Sequence, residues 1–337
     1  MGILTVDFET YYDSDDYSLS KMQTEEYIND WRFENIVVAV KKDDEKTKWY
    51  SGTHEEIKKE LEKYDWENNH LLAHNTKFDG AILHWKFGIK PKHYLDTLCM
   101  AQACVGHTTN SISLDELSYA FDLGVKGKQV KTYDKLNRID FTPEQLKDYA
   151  SYCMNDVDLT YSLFWKLWDT HLFPDTELDL IHNTLKMFIE PKFELDIEAL
   201  EKESQNINAI RNGWLLKVSV PSKVLRSSKQ FPILLAKYGV QPLKSYAKDN
   251  DDFLKLRGHP NPKVRDIVEA RLCWASNGEP NRIERLLASA KRNNGLHVPL
   301  KYYGAHTGRW SGQDKINLQN VSKKAVGLKK SFKAPKG

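Results

Sequence analysis

Ile3-Leu4-Thr5-Val6-Asp7-Phe8-Glu9-Thr10 is an apolar run that ends in two carboxylates placed two residues apart. It reads as a buried strand carrying acid at its end. Side chains alternate across a strand, so Asp7 and Glu9 point to one face and Phe8 to the other. Two like charges on one face repel, and a cation between them relieves the repulsion. Hard oxygen donors of this kind suit Mg²⁺ or Mn²⁺. Taken alone, Asp-x-Glu describes a solvated strand end equally well, so its meaning depends on the rest of the chain.

Working outward, Ile36 to Val40 and Thr47 to Tyr50 flank the polar turn Lys42-Asp43-Asp44-Glu45 and read as a hairpin continuing the sheet. A helix is expected over residues 54–64, with Leu61 on its apolar side. His70 to His74 reads as a short strand, followed at once by Asn75-Thr76-Lys77-Phe78-Asp79 and a helical run through Ile82, Leu83 and Trp85. This puts Asp79 at a strand-to-helix junction, where open α/β sheets place their sites. A helix N-cap is the equally ready reading of Asp79 by itself. Ser113 and Glu116 have capping-box spacing, so a helix begins near Leu114. A second box, Thr142-Pro143-Glu144-Gln145, opens a long helix to about residue 171 with Pro at its first position. On that helix Tyr152 and Asp156, four apart, share a face. Their plain alternative is a core tyrosine beside a solvated acid.

Pro174 and Asp175 punctuate the chain, and the amphipathic pattern Leu178, Ile181, Leu185, Phe188 follows, so a domain boundary is expected near residue 175. Residues 195 to 295 are mostly helical by pattern, without concentrated site chemistry. Near Leu296 the pattern turns to alternation, then to the glycine-rich run 304–312, a hairpin or loop presenting Arg309.

A chain of 337 residues suggests two domains. It holds no apolar run near the roughly 18 residues of a membrane span and no cationic-then-apolar leader. Met1-Gly2 resembles the start of a myristoylation signal, but Val6 stands where Ser or Thr is needed. The expectation is a soluble cytoplasmic protein without membrane partners. Cys99, Cys104, Cys153 and Cys273 show no paired spacing and are expected to be reduced. Charge is unevenly spread: residues 1 to 80 hold 19 acids against 10 Lys and Arg, whereas residues 287 to 337 hold 11 Lys and Arg against one acid, Asp314. The first part suits metal and the last a polyanion, although a basic end is also an ordinary solvated one.

Asp7, Glu9, Asp79 and Asp156 together supply about what two divalent cations need. Two such ions roughly 3.5–4 Å apart can bind one phosphate between them, which points to phosphodiester hydrolysis, with Tyr152 hydrogen-bonding the attacking water. The set Asp7-x-Glu9, Asn75-x-x-x-Asp79 and Tyr152-x-x-x-Asp156 resembles the tyrosine-bearing subclass of DEDD-type 3′→5′ exonucleases over roughly residues 1 to 175. The resemblance implies an α/β, RNase-H-like domain in which helices flank a mixed sheet. It implies two Mg²⁺ or Mn²⁺ ions on Asp7, Glu9, Asp79 and Asp156, and Tyr152 as the water-positioning residue. Asn75 matches the second motif, as a substrate contact or a turn-former.

Thr307-Gly308-Arg309-Trp310-Ser311-Gly312 followed by Asn317-Leu318-Gln319-Asn320 resembles the segment that enters the palm of family-A DNA polymerases, particularly phage ones. Val264 to Arg271 resembles that family's thumb-to-palm connection. Trp310 stands where Leu, and Ser322 where Pro, is frequent. The implied organisation is an exonuclease domain over 1–175, a mainly helical thumb-like region over 176–295 and a palm-entry segment over 296–337. The implied nucleic-acid contacts are Asn75, Thr307, Arg309, Gln319 and Asn320. The implied partners are single-stranded 3′ ends, primer–template duplex and, if the enzyme is split, a second polypeptide carrying palm and fingers. The first catalytic Asp of the palm would come next after Gly337, so this polypeptide is expected not to polymerise alone. If phage-encoded, it works in the host cytoplasm. Competing expectations are a stand-alone exonuclease on DNA or RNA ends and a non-enzymatic DNA-binding polymerase subunit.

Overall fold

The computed structural model describes residues 2–109, 111–127, 132–169, 173–191, 193–275, 278–292, 295–314, 316–321 and 325–334. In chain order the first part comprises β1 (Ile3–Thr10), α1 (Thr24–Asn29), β2 (Asn35–Lys42), β3 (Lys48–Tyr50), α2 (His54–Leu61), β4 (His70–Ala73), α3 (Thr76–Phe87), β5 (His93–Asp96), α4 (Thr97–Cys104), α5 (Leu114–Ala120), α6 (Pro143–Asp169) and α7 (Asp175–Ile189). There follow β6 (Glu194–Leu195), α8 (Ile197–Val218), α9 (Ser222–Arg226), α10 (Gln230–Ala236), α11 (Asp251–Lys255), α12 (Pro262–Ala275) and α13 (Gly278–Arg292). The described chain ends with β7 (Leu300–Lys301), β8 (Ser311–Gly312), α14 (Val326–Lys330) and β9 (Phe332–Lys333).

Two compact units result, one of residues 1–193 with 295–320 and one of 194–294 with 321–337. They cut across the division by chain order into 1–175, 176–295 and 296–337: α7 and the β7–β8 hairpin lie in the first unit, and residues 321–337 lie in the second. The second unit is helical as expected, with a core of Leu225, Phe231, Leu235, Phe253, Val264, Ile267 and Val268. The alternation near Leu296 yields only the short strand β7. Among the described residues no helix is long and apolar enough to cross a membrane.

In the first unit the sheet order is β3-β2-β1-β4-β5, with β1 antiparallel to β2 and parallel to β4. The mixed sheet with flanking helices is therefore present, with the opening stretch as its central strand. Asp7 lies opposite Ala39 and Glu9 opposite Val37, so both acids share a face with them. That face is covered by α6, whose Tyr149, Tyr152, Cys153 and Val157 pack with Val37 and Ala39. Phe8 points the other way and stacks on Phe87 of α3 at 5.9 Å. The register shifts between Glu9 and Thr10, ending the regular ladder just beyond the second acid.

The helix starts follow the local chemistry read from the sequence. Thr142 Oγ1 accepts from the backbone N–H of Gln145 at 3.2 Å, and the Thr142 N–H donates to Gln145 Oε1 at 2.9 Å, closing the box before α6. Ser113 caps α5 through the Glu116 N–H at 3.3 Å. Gly80 lets α3 lie close to its neighbours, since a Cβ there would sit 2.7 Å from Ile189 Cδ1. In the first unit the elements not read from the sequence are α1, β5 and α4. The last two meet at Asp96, a buried carboxylate whose Oδ1 accepts from the N–H groups of Asn75 (3.1 Å), Leu98 (2.8 Å) and Cys99 (3.4 Å). One side chain thereby fixes both the β4–α3 turn and the start of α4.

Replacing Asp96 by Ala strands those donors, and an unpaired buried group costs about 1–3 kcal/mol. Asp96→Ala is expected to lower unfolding free energy by roughly 2–4 kcal/mol in urea denaturation. Asp96→Asn, which keeps one acceptor oxygen, is expected to lose less. Equal, small losses in both variants would contradict the role given to Asp96.

Candidate metal centre

Carboxylate oxygens of Asp7, Glu9 and Asp156 all lie within 4.8 Å of one another. Strand alternation delivers the first two, and the third comes from the middle of α6, where Asp156 is 4% exposed. The fourth sequence-derived acid, Asp79, is equally buried in the first turn of α3 but lies outside this trio. It is not the helix N-cap, a position held by Asn75; its Oδ1 instead accepts from the backbone N–H of Phe8 at 3.1 Å, between the two acids of β1. Asp79 is thus held against the centre from the strand side.

Burial raises the pKa of every one of these acids. Asp7 is pushed up to about 7, first by burial and then by the charge of Asp156. Glu9 and Asp79 stand well above their ordinary values, through burial and then the charge of Asp7. Asp156 is raised by burial although Lys126 pulls it back. Lys126 Nζ donates to Asp156 Oδ2 at 2.5 Å and lies 5.3 Å from the Tyr152 ring centroid. Burial works against its charge, yet Asp156, Asp7 and Glu9 together outweigh this and hold the ammonium pKa above its ordinary value.

Tyr152 is 5% exposed and belongs to the apolar cluster beneath α6, so part of its role is packing. Its hydroxyl also faces Asp156, and burial followed by the charge of Glu9 keeps it protonated. Two polar neighbours of the centre are absent from the sequence reading. Tyr149 donates its hydroxyl to Glu9 Oε2 at 2.7 Å and stacks on Tyr152 with 6.1 Å between ring centroids. It sits three residues before Tyr152, and that helical spacing was the available signal. Lys126 comes from a loop, where no periodicity marks it.

The expected nucleic-acid residues are dispersed. Asn75 adopts a left-handed conformation (φ 82°) with its N–H on Asp96, as a turn-former does. Thr307 and Arg309 are exposed on the β7–β8 hairpin, and Arg309 Nε donates to Thr307 Oγ1 at 3.2 Å. Gln319 and Asn320 are exposed beyond it. Lys77 of α3 ties this segment down through Gln313 Oε1 and Asp314 Oδ2, both at 3.1 Å. Ser322 lies outside the described residues.

The donor set fits a hard divalent cation. Among the described residues, Asp7 Oδ2 and Asp156 Oδ1 are buried without a hydrogen-bond partner, and converging carboxylates offer oxygens of the right hardness. Unpaired buried acceptors beside like charges are costly unless a cation serves them.

Residues 12–171 match a family model described as 3′–5′ exonuclease. The match takes in Asn75, Asp79, Lys126, Tyr149, Tyr152 and Asp156, and begins just after Asp7 and Glu9. No curated protein matches the sequence. Among solved structures, the POL domain of Pol1 from M. smegmatis, in complex with DNA primer-template and dNTP, is 15% identical at a TM-score of 0.59. The likeness covers 100% of this chain and 55% of that one, so the chain spans about half of the polymerase domain. Brucella melitensis NrnC bound to pGG is 18% identical at a TM-score of 0.38, covering 55% of this chain and 80% of that one.

The shift at Asp7 gives a sign for stability. A carboxyl whose folded pKa is raised from 3.8 to about 7 stabilises the metal-free fold at low pH, and that contribution is lost as pH rises through about 7. In chelator at pH 8, Asp7→Asn is therefore expected to be more stable than the parent by on the order of 2 kcal/mol, the gap closing toward pH 4. Mn²⁺ at pH 8 is expected to raise the parent's melting temperature more than the variant's. A gap that widens on acidification would contradict the assignment.

Proposed function

We propose that this chain, whose residues 12–171 match a 3′–5′ exonuclease model and whose fold resembles about half of a DNA polymerase domain, is the exonuclease-bearing part of a family-A DNA polymerase and removes nucleotides from DNA 3′ ends as a proofreading activity. The observation that carries the reading is the convergence of Asp7 and Glu9, just before that match, with Asp156 inside it, two of the three having buried oxygens unpartnered among the described residues. Asp7, Glu9, Asp79 and Asp156 would hold two Mg²⁺ or Mn²⁺ ions. When bound, such ions lower the pKa of water, screen the carboxylates from phosphate and stabilise the leaving oxygen.

The chain's own groups prepare the reaction. Tyr149 orients the Glu9 carboxylate through its 2.7 Å hydrogen bond. The Phe8 N–H fixes the rotamer of Asp79. Tyr152, kept protonated, would hydrogen-bond the attacking water. A cavity of about 370 Å³ opens beside Glu9, lined by Phe8, Glu9, Thr10, Tyr12, Leu19 and Phe78 among others, and would take the terminal nucleoside. The exposed Arg309, with Thr307, Gln319, Asn320 and Asn75, would contact DNA phosphates and minor-groove edges in a salt-sensitive way. The basic composition of residues 287–337 supports that reading.

With Mg²⁺ or Mn²⁺, 5′-labelled single-stranded DNA is expected to shorten from its 3′ end. Asp7→Ala should reduce the rate by roughly a thousandfold or more, whereas Tyr152→Phe should lower kcat by about 10- to 100-fold without weakening metal binding. Absence of shortening by the parent chain, or full activity in Asp7→Ala, would overturn the proposal.

A further inference from the structure

The Lys126 ammonium sits on the same carboxylate that closes the metal centre, its Nζ 2.5 Å from Asp156 Oδ2, while Asp156 Oδ1 has no partner among the described residues. It is well placed to act at a distance too, since its charge is felt by Asp7 and Glu9 as well as by Asp156. We propose that Lys126 is a tethered counter-ion of the centre: it neutralises the converging carboxylates while metal is absent and must leave Asp156 when metal enters. This rests on the reading of the trio as a metal site and adds a residue that competes for it.

Three carboxylate oxygens within 4.8 Å need positive charge nearby. A lysine supplies one unit on a flexible four-carbon stem; a divalent ion supplies two at a fixed point. Both cannot remain against Asp156 without repelling each other. The freedom lies in the side chain. Asn155 Nδ2 of α6 donates to the Val125 carbonyl at 3.1 Å and holds the backbone, while the lysine's own four-carbon stem, 24% exposed, can swing its ammonium away from Asp156. The Asp156 carboxylate, by contrast, is 5% exposed on a long helix and stays. The pair is asymmetric, with a fixed anion and a movable cation, and the movable partner is the one displaced.

Two consequences follow. Metal affinity is held below what four carboxylates alone would give, because every binding event breaks an ion pair. In addition, the released ammonium remains at the rim of the centre, a place from which it can pair with an incoming phosphate.

The test is Mn²⁺ titration by calorimetry at fixed pH and low ionic strength, on the full chain without nucleic acid. Lys126→Met is expected to bind Mn²⁺ about tenfold more tightly than the parent, since no ion pair is broken. Lys126→Arg, which restores the charge, is expected to return affinity to near the parent value. In chelator Lys126→Met should melt below the parent, and saturating Mn²⁺ should close that difference. Lys126→Gln, with a polar head, repeats the comparison if the Met variant does not fold. Unchanged or weaker Mn²⁺ binding in the uncharged variants overturns the counter-ion role alone. Parent binding that Asp7→Asn does not diminish overturns the metal reading and the counter-ion role together.

Discussion

Like charge held at short range in a shielded place is the constraint on which the rest of this molecule depends. Carboxylates from a central strand and from a long helix face each other across less than 5 Å, and the fold must oppose their repulsion before it can use them. It does so with apolar packing behind the acids, where Val37, Ala39, Tyr149, Tyr152, Cys153 and Val157 form one cluster. It adds specific donors at the acids themselves: Tyr149 on Glu9, the Phe8 N–H on Asp79 and Lys126 on Asp156. Among the described residues two of their oxygens are left without a hydrogen-bond partner, which is the opening the proposed cation would fill.

The same constraint explains the placement of elements around the centre. Being the middle strand of five, β1 has neighbours on both sides to hold its backbone rigid while its end breaks register just after Glu9. Long as it is, α6 spans the sheet, so a single helix contributes both the tyrosines and the acid. The Asp96 bonds lock the β4–α3 turn, which sets the position of Asp79. Backbone precision of this kind matters because charges this close change energy steeply with distance.

Much of the acid set was legible in the sequence because it follows from periodicity: a repeat of two put Asp7 and Glu9 on one face, and a repeat near four put Tyr152 with Asp156. The capping boxes at Ser113 and Thr142 located two helix starts for the same local reason. Asp79 was placed at the right junction, but its partner, the Phe8 N–H, is 71 residues away and no local pattern encodes it. Tyr149 could have been found by extending the helical face back one turn. Lys126 could not, since it reaches the centre from an irregular loop. The strand β5 and helix α4 escaped notice because Asp96, the residue that joins them, does its capping work as a buried acid rather than at an exposed helix start.

Most directly at stake is whether the acids hold a pair of ions. Electron paramagnetic resonance of the Mn²⁺-loaded chain with a nucleoside 5′-monophosphate reads this without relying on turnover. The expected result is a spin-coupled two-manganese spectrum that Asp7→Asn reduces to a single-ion signal. A spectrum of isolated ions in the parent chain, unchanged by that substitution, would contradict it.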